Sequence, residues 1–230
     1  MISLLIIDLD DTLCDYSQAM ARGKNAVSEY FKEIGVEPSA FWRVYNEIEP
    51  MLFRDFTLKR LSTADYRTRR YEDVFQRLNM IVPASMIQTL NGLYMKETND
   101  GVRLFPDAVP FLRNMKHLGI RTAILTNGPS DGQRSKIRAL ELQNKVDRIF
   151  VSSDIGVAKP EPKAFEYVLK SFAVRRDTAC MIGDSLPDDV VGAHNSGIKS
   201  ILLDRENKHP DFEGLKASDL ATTQNILFNG

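Results

Sequence analysis

One short stretch of this sequence has the makings of a cation site. Asp8-Leu9-Asp10-Asp11-Thr12 closes an apolar run. On an extended strand, residues two apart point to the same face, so Asp8 and Asp10 are expected to share one site. Two neighbouring carboxylates repel unless a proton or a cation intervenes. Magnesium suits them, because it prefers hard oxygen ligands, keeps several waters and recruits substrate phosphate. A turn-forming or helix-capping acid cluster is the alternative for these residues alone. An EF-hand calcium loop is not, since its turn glycine would fall on Leu13 and its closing glutamate on Ala19.

Three further signals follow in order. Thr126-Asn127-Gly128 offers a hydroxyl and freed backbone N–H groups that could hold phosphate oxygens, although the same triplet makes a good turn. Lys159 stands in Ala158-Lys159-Pro160-Glu161-Pro162, just before a helix predicted to start at one of the prolines. Cations favour the other end of a helix, so this lysine reads better as a counter-charge to phosphate than as decoration, an exposed surface lysine being the alternative. Gly183-Asp184-Ser185-Leu186-Pro187-Asp188-Asp189 then places Asp184 at a strand end, as a metal ligand, while Asp188 and Asp189 also suit the first turn of a helix.

The elements that must position these residues are legible from periodicity. Short apolar runs at residues 4–9, 120–125, 149–151, 179–182 and 198–203 each end in polar residues, as strands buried on both faces of a parallel sheet do. Helical stripes such as Ala108, Phe111, Leu112 and Met115 alternate with them, which predicts βαβ units. In such folds ligands bind beyond the carboxyl ends of the strands, where the four signals fall. Residues 16–99 differ. They carry four helical stripes (Val27, Tyr30, Phe31, Ile34; Phe41, Val44, Tyr45, Ile48; Tyr71, Val74, Phe75, Leu78; Met86, Ile87, Leu90, Leu93), with Pro38, Pro50 and Pro83 predicted to break them into short helices. An all-helical block inserted after a first strand reads as a cap over an active site.

Composition narrows the class. The 230 residues are 43% hydrophobic with a net charge of -1, so no global field points to a nucleic-acid polymer or an anionic membrane. The N-terminal apolar stretch is too short for a signal peptide, and no run approaches a membrane span. Cys14 and Cys180 form no C-x-x-C pair and read as small buried hydrophobes in a reducing compartment. The expectation is a cytoplasmic protein, a monomer or homodimer. His117, His194 and His209 lack zinc-ligand spacing.

Asp8-Leu9-Asp10-Asp11-Thr12, Thr126, Lys159 and Gly183-Asp184 through Asp189 form an ordered four-part pattern that resembles the haloacid dehalogenase superfamily, from residue 3 to about residue 204. The resemblance implies an α/β fold with a Rossmann-like parallel sheet, its first strand central, in residues 1–15 and 100–230, and a helical cap of the C1 class in residues 16–99. It implies that Asp8 is the nucleophile and Asp10 the general acid/base. Thr126 and Lys159 would be phosphate ligands, Lys159 also shielding Asp8. Magnesium would be held by Asp184, Asp8 and the backbone carbonyl of Asp10, supported by Asp189 or, on the shorter spacing, Asp188.

The dehalogenases of the superfamily lack the second aspartate of the first motif, because halide departs unprotonated. This chain has Asp10, which favours phosphoryl transfer over carbon–halogen cleavage. The expected reaction is hydrolysis of a small phosphorylated metabolite through an aspartyl-phosphate, with a dehalogenase as the rival. The segments around Lys159 and Asp184 are similar to those of pyrimidine 5′-nucleotidase-like members, which points to nucleoside monophosphates, then phosphoglycolate or sugar phosphates. Trp42, Phe53 and Phe56 could stack a base or simply pack. Arg67-Thr68-Arg69-Arg70 reads as a solvated helix face, or as a source of one arginine for substrate.

Overall fold

The computed structural model describes residues 2–229. Among them six strands form one sheet, each ending where an apolar run gives way to polar residues: β1 (Leu4–Ile7), β2 (Arg121–Thr126), β3 (Arg148–Val151), β4 (Ala179–Gly183), β5 (Lys199–Leu203) and β6 (Lys216–Ala217). All pairings are parallel and the order is β3-β2-β1-β4-β5-β6. β1 is fully buried, and Ile7 is in register with Ile124 on one side and Ile182 on the other. The residues that follow those three isoleucines therefore emerge together at one edge. The first five strands lie on the predicted apolar runs. β6 does not, because two residues are too few for a periodicity to show.

By contacts the chain divides into two units, one running up to Ser17 and from Arg103 onward, the other Gln18–Val102. The second is built on α1 (Tyr16–Glu33), α2 (Pro38–Thr57), α3 (Thr63–Arg77) and α4 (Ala84–Met95), followed by a π-helical stretch at Lys96–Asp100. Its core uses the predicted stripes: Val27, Phe31, Phe41, Val44, Tyr45, Tyr71, Val74, Phe75, Ile87 and Leu90 are all buried. Phe41 is the hub, with its ring centroid 4.7 Å from Phe31, 5.1 Å from Phe75 and 6.1 Å from Tyr71. Each such buried aromatic stabilises the unit by about 1.5–3 kcal/mol. Trp42, Phe53 and Phe56 pack into this cluster, Trp42 donating its indole N–H to Ser28 Oγ at 2.8 Å. α3 starts in a capping box, Asp65 N donating to Ser62 Oγ at 3.0 Å and Ser62 N to Asp65 Oδ2 at 3.4 Å.

Two expectations fail in this unit. Pro50 does not end a helix but lies inside α2. It is exposed, as is Asn46 one turn earlier, whose carbonyl loses its helical donor and can turn to water instead. Nor is the arginine cluster a solvated face throughout. Arg69 pairs with Asp73 at 2.9 Å on the surface, but Arg70 is buried, its guanidinium 4.9–5.6 Å from the ring centres of Tyr66, Tyr71 and Tyr94 and donating to Asn91 Oδ1 at 2.7 Å.

The α/β unit adds α5 (Ala108–His117), α6 (Ser130–Ala139), α7 (Ser152–Ile155), α8 (Pro162–Phe172), α9 (Gly192–Asn195) and α10 (Leu220–Asn229). α8 opens with Pro162 in its first turn and buries Ala164, Phe165, Val168, Leu169 and Phe172. These meet Leu4, Ile6, Ala123, Leu125 and Met181 on one face of the sheet. Where the chain leaves for the helical unit and returns, Asp15 N donates to Arg103 O at 2.9 Å, Phe105 N to Leu13 O at 3.0 Å, and Cys14 bridges Leu104. The division thus falls two or three residues beyond the expected boundaries at 15/16 and 99/100. No helix among the described residues is long and apolar enough to cross a membrane. Cys14 and Cys180 are free and buried. Burial pushes both thiols up, Cys180 to about 12.

Candidate active site

Asp8 follows the last residue of β1, where its N–H makes one more sheet bond, to Ile182 O at 2.9 Å. Backbone pairing therefore fixes where its carboxylate starts from. The nearest cation is Lys159, whose Nζ donates to Asp8 Oδ1 and to Asp189 Oδ1, both at 2.6 Å. Asp184 is the residue after β4. Carboxylate oxygens of Asp8, Asp184 and Asp189 all lie within 4.8 Å of one another, and two of these three acids, Asp8 and Asp189, pair with the Lys159 ammonium. None of the three histidines joins this group.

The backbone treats Asp188 and Asp189 differently. Leu186–Val191 winds as a π-helix, with Ser185 Oγ accepting from Asp188 N at 3.2 Å and Asp189 Oδ2 accepting from Ser185 N at 3.1 Å. That winding turns Asp189 inward, where it is completely buried. The space it occupies exists because residue 183 is glycine: a Cβ there would sit 2.1 Å from Asp189 Oδ2.

Lys159 is held from behind by Asn127. Asn127 Nδ2 donates to Lys159 O at 2.8 Å, and Lys159 N donates to Asn127 Oδ1 at 3.0 Å. The Asn127 side chain thus supports the Lys159 backbone with one N–H and its carbonyl oxygen, beside any contact it makes to phosphate. Its place one residue beyond β2 puts it opposite the Lys159 backbone. Thr126, the last residue of β2, is buried, and its hydroxyl accepts from Gln133 Nε2 at 2.5 Å.

Asp10 lies apart from the three-acid group. The alternation that would bring it beside Asp8 holds only within a strand, and β1 stops at Ile7. Beyond it the chain turns, with Asp11 at φ 55°, a conformation that aspartate tolerates. Asp11 accepts from Ser17 N and Ser17 Oγ, both at 2.7 Å. Asp10 is met by two residues that sequence reasoning missed, Lys136 at 2.5–2.6 Å and Gln133 at 3.0 Å, both on α6. Arg205 was also missed. It grips Asp107 with two bonds of 3.0 Å, donates to Thr12 O at 3.0 Å and so tethers the loop that carries Asp10 and Asp11. Their signal was position: the helix following β2 and the residues following β5 both border the edge where ligands bind.

The electrostatics follow from burial. Burial pushes the Asp8 carboxyl well up; Lys159 pulls it back, and Asp189, Asp184 and Asp10 raise it again. Asp184 is pushed up to about 7, by burial first and then by Asp189 and Asp11. Burial works against the charge on Lys159, but Asp189 and Asp8 outweigh it, and the ammonium holds its proton more tightly than a free lysine does. Fully ionised, the three carboxylates less the one lysine charge would leave two negative charges in an all-oxygen donor set, which fits a hard divalent cation.

Comparison with known proteins agrees with this geometry. The chain is 31% identical over 201 residues to a glyceraldehyde 3-phosphate phosphatase of Pyrococcus furiosus, covering 87% of this chain and 80% of that protein. It is 27% identical over 241 aligned positions to a phosphoserine phosphatase of Thermus thermophilus, covering 94% and 96%. The fold matches the crystal structure of the magnesium-bound HAD-hydrolase YfnB from Bacillus subtilis with a TM-score of 0.78, 22% identity and 99% of both chains covered. Residues 2–197 match the haloacid dehalogenase-like hydrolase family, so an acid-rich sheet edge of this design has the setting it requires, and the chain belongs to that family.

Proposed function

We propose that the protein is a magnesium-dependent phosphatase that hydrolyses a small phosphate monoester through a phosphorylated Asp8. The observation that carries this reading is the cluster of Asp8, Asp184 and Asp189, two of which pair with the buried Lys159, with Asp10 two residues after Asp8. Asp8 and Asp184, with the backbone carbonyl of Asp10, would hold magnesium, supported by Asp189. Bound there, the ion offsets charge on the carboxylates and on the ester.

The chain's own residues supply the rest. A phosphate dianion approaching an ionised Asp8 is repelled, and Lys159, already 2.6 Å from Asp8, reduces that cost. An Asp8 oxygen attacks phosphorus as the ester oxygen leaves in line, and Asp10 passes a proton to that departing oxygen. In the second step Asp10 takes a proton from water as the water oxygen bonds to phosphorus. The Asp8–phosphorus bond breaks, phosphate departs and both carboxyl groups return to their starting state. Thr126 and the backbone N–H groups after β2 orient the phosphoryl oxygens.

Substrate choice belongs to the helical unit as a cap. Its aromatic residues are spent on their own core, which weakens the case for a nucleobase. Relatives are named for glyceraldehyde 3-phosphate and phosphoserine, and another is a pyrimidine 5′-nucleotidase, so small non-nucleotide esters and nucleoside monophosphates are both substrate candidates. Two free, buried thiols suit a cytoplasmic enzyme.

A panel of phosphorylated metabolites assayed with magnesium and with a chelator tests this. Turnover should require the metal, and Asp8→Asn should abolish it while the protein stays folded. More than a few per cent of wild-type turnover in Asp8→Asn, or halide release from a haloacid without metal, would remove the phosphatase reading.

A further inference from the structure

Two buried polar residues of α6 have no part in the chemistry above. Gln133 and Lys136 are each 3% exposed and, three residues apart, share one helix face. Both aim at Asp10. Lys136 Nζ donates to Oδ1 at 2.6 Å and to Oδ2 at 2.5 Å, and Gln133 Nε2 donates to Oδ2 at 3.0 Å. Cys14 Sγ lies 3.7 Å from Oδ1, and the Tyr16 ring centre is 4.0 Å from the ammonium. Gln133 also reaches Thr126 Oγ1 at 2.5 Å and Asn127 O at 2.7 Å, linking Asp10 to the end of β2.

A lysine in the last turn of a helix has a simple explanation, since cations favour that end. It accounts for an exposed side chain, not for a buried one, because burying an ammonium is costly unless an acid receives it. The acid here is the residue assigned to proton transfer. An ammonium centred between two oxygens still lets the carboxylate plane rotate, as an arginine fork would not. The directional N–H of Gln133 on one of those oxygens removes that freedom.

We propose that Lys136 and Gln133 are positioning residues that hold the ionised Asp10 carboxylate in one orientation for the second proton transfer, in which it takes a proton from water. The inference rests on the phosphatase reading, from which Asp10 takes its role. Proton transfer needs heavy atoms about 2.6–3.2 Å apart, and a side chain free to sample its rotamers spends much of its time elsewhere.

Lys136→Met keeps the length of the side chain and removes its charge, whereas Lys136→Arg keeps the charge. Lys136→Met should lower kcat about 10–100-fold, part of the roughly 10²–10⁴-fold that positioned proton transfer supplies, with KM within about twofold. Lys136→Arg should recover part of that loss. Added to Asp10→Ala, Lys136→Met should cost nothing further, since a residue acting through Asp10 has nothing left to act on. An undiminished loss in that background overturns the proposal. Crystal structures of the wild type and of Lys136→Met keep the two readings apart: Asp10 unmoved in the variant defeats the positioning role whatever the activity, while a wild type inactive on every ester defeats only the phosphatase reading. Gln133→Leu permits the same cycle should Lys136→Met fail to fold.

Discussion

At the scale of single residues, the chain uses polar side chains to hold other polar side chains. Asn127 binds the backbone of Lys159 at both ends of its amide, and Lys159 in turn faces Asp8 and Asp189. Asn127→Ala would leave a buried N–H and a C=O without partners, so we expect it to lower the unfolding free energy by about 1–3 kcal/mol and to reduce kcat more than it raises KM. Urea denaturation and steady-state kinetics check this together; unchanged stability with a raised KM would put the amide on the ester instead. Asp8, Thr126, Lys159 and Asp184 stood out in the sequence as candidates because each followed an apolar run or preceded a helix start. Asn127 was readable as a site residue but not as a support, because that role depends on a partner 32 positions away. Lys136 and Gln133 were hidden because a polar residue on a helix reads as a solvated one until its buried face is known.

At the scale of elements, the strand ends set the geometry and the turns after them set the detail. The strands showed in the sequence because burial on both faces demands unbroken apolar runs. The π-helix at Leu186–Val191 did not show, although it buries Asp189 and not its neighbour Asp188. Its tight approach to β4 depends on Gly183. Gly183→Ala would drive a methyl group into the Asp189 carboxylate, and a shift of about 1 Å in such a group costs about 100-fold in rate. We therefore expect Gly183→Ala to lose about two orders of magnitude in kcat and to melt at a lower temperature; wild-type kcat in the purified variant would contradict this. The helices of residues 18–102 were legible as amphipathic stripes, whereas the persistence of α2 through Pro50 was not, because propensity cannot report which side of a helix meets water.

At the scale of the whole molecule, excess negative charge should make stability depend on pH and metal. Burial, then Asp189 and Asp11, push the Asp184 carboxyl from the ordinary 3.8 up to about 7 in the folded chain. Across that window the folded chain binds more protons, so raising pH from about 4 to about 7 removes stability, and above about 7 this contribution is constant. In a chelator the melting temperature should fall as pH rises from 5 to 7, and magnesium at pH 7.5 should restore it, by about 2.7 kcal/mol at a hundredfold excess over Kd. A flat profile with no response to magnesium would count against a metal held by these carboxylates. The same scale contains the junction at which Asp15 N meets Arg103 O. Everything from Tyr16 to Val102 is a detour that starts and finishes at one hydrogen-bonded spot. A different block with closely spaced ends could be spliced in there without stretching the backbone on either side, which makes this junction a ready place for recombination to exchange one helical insert for another.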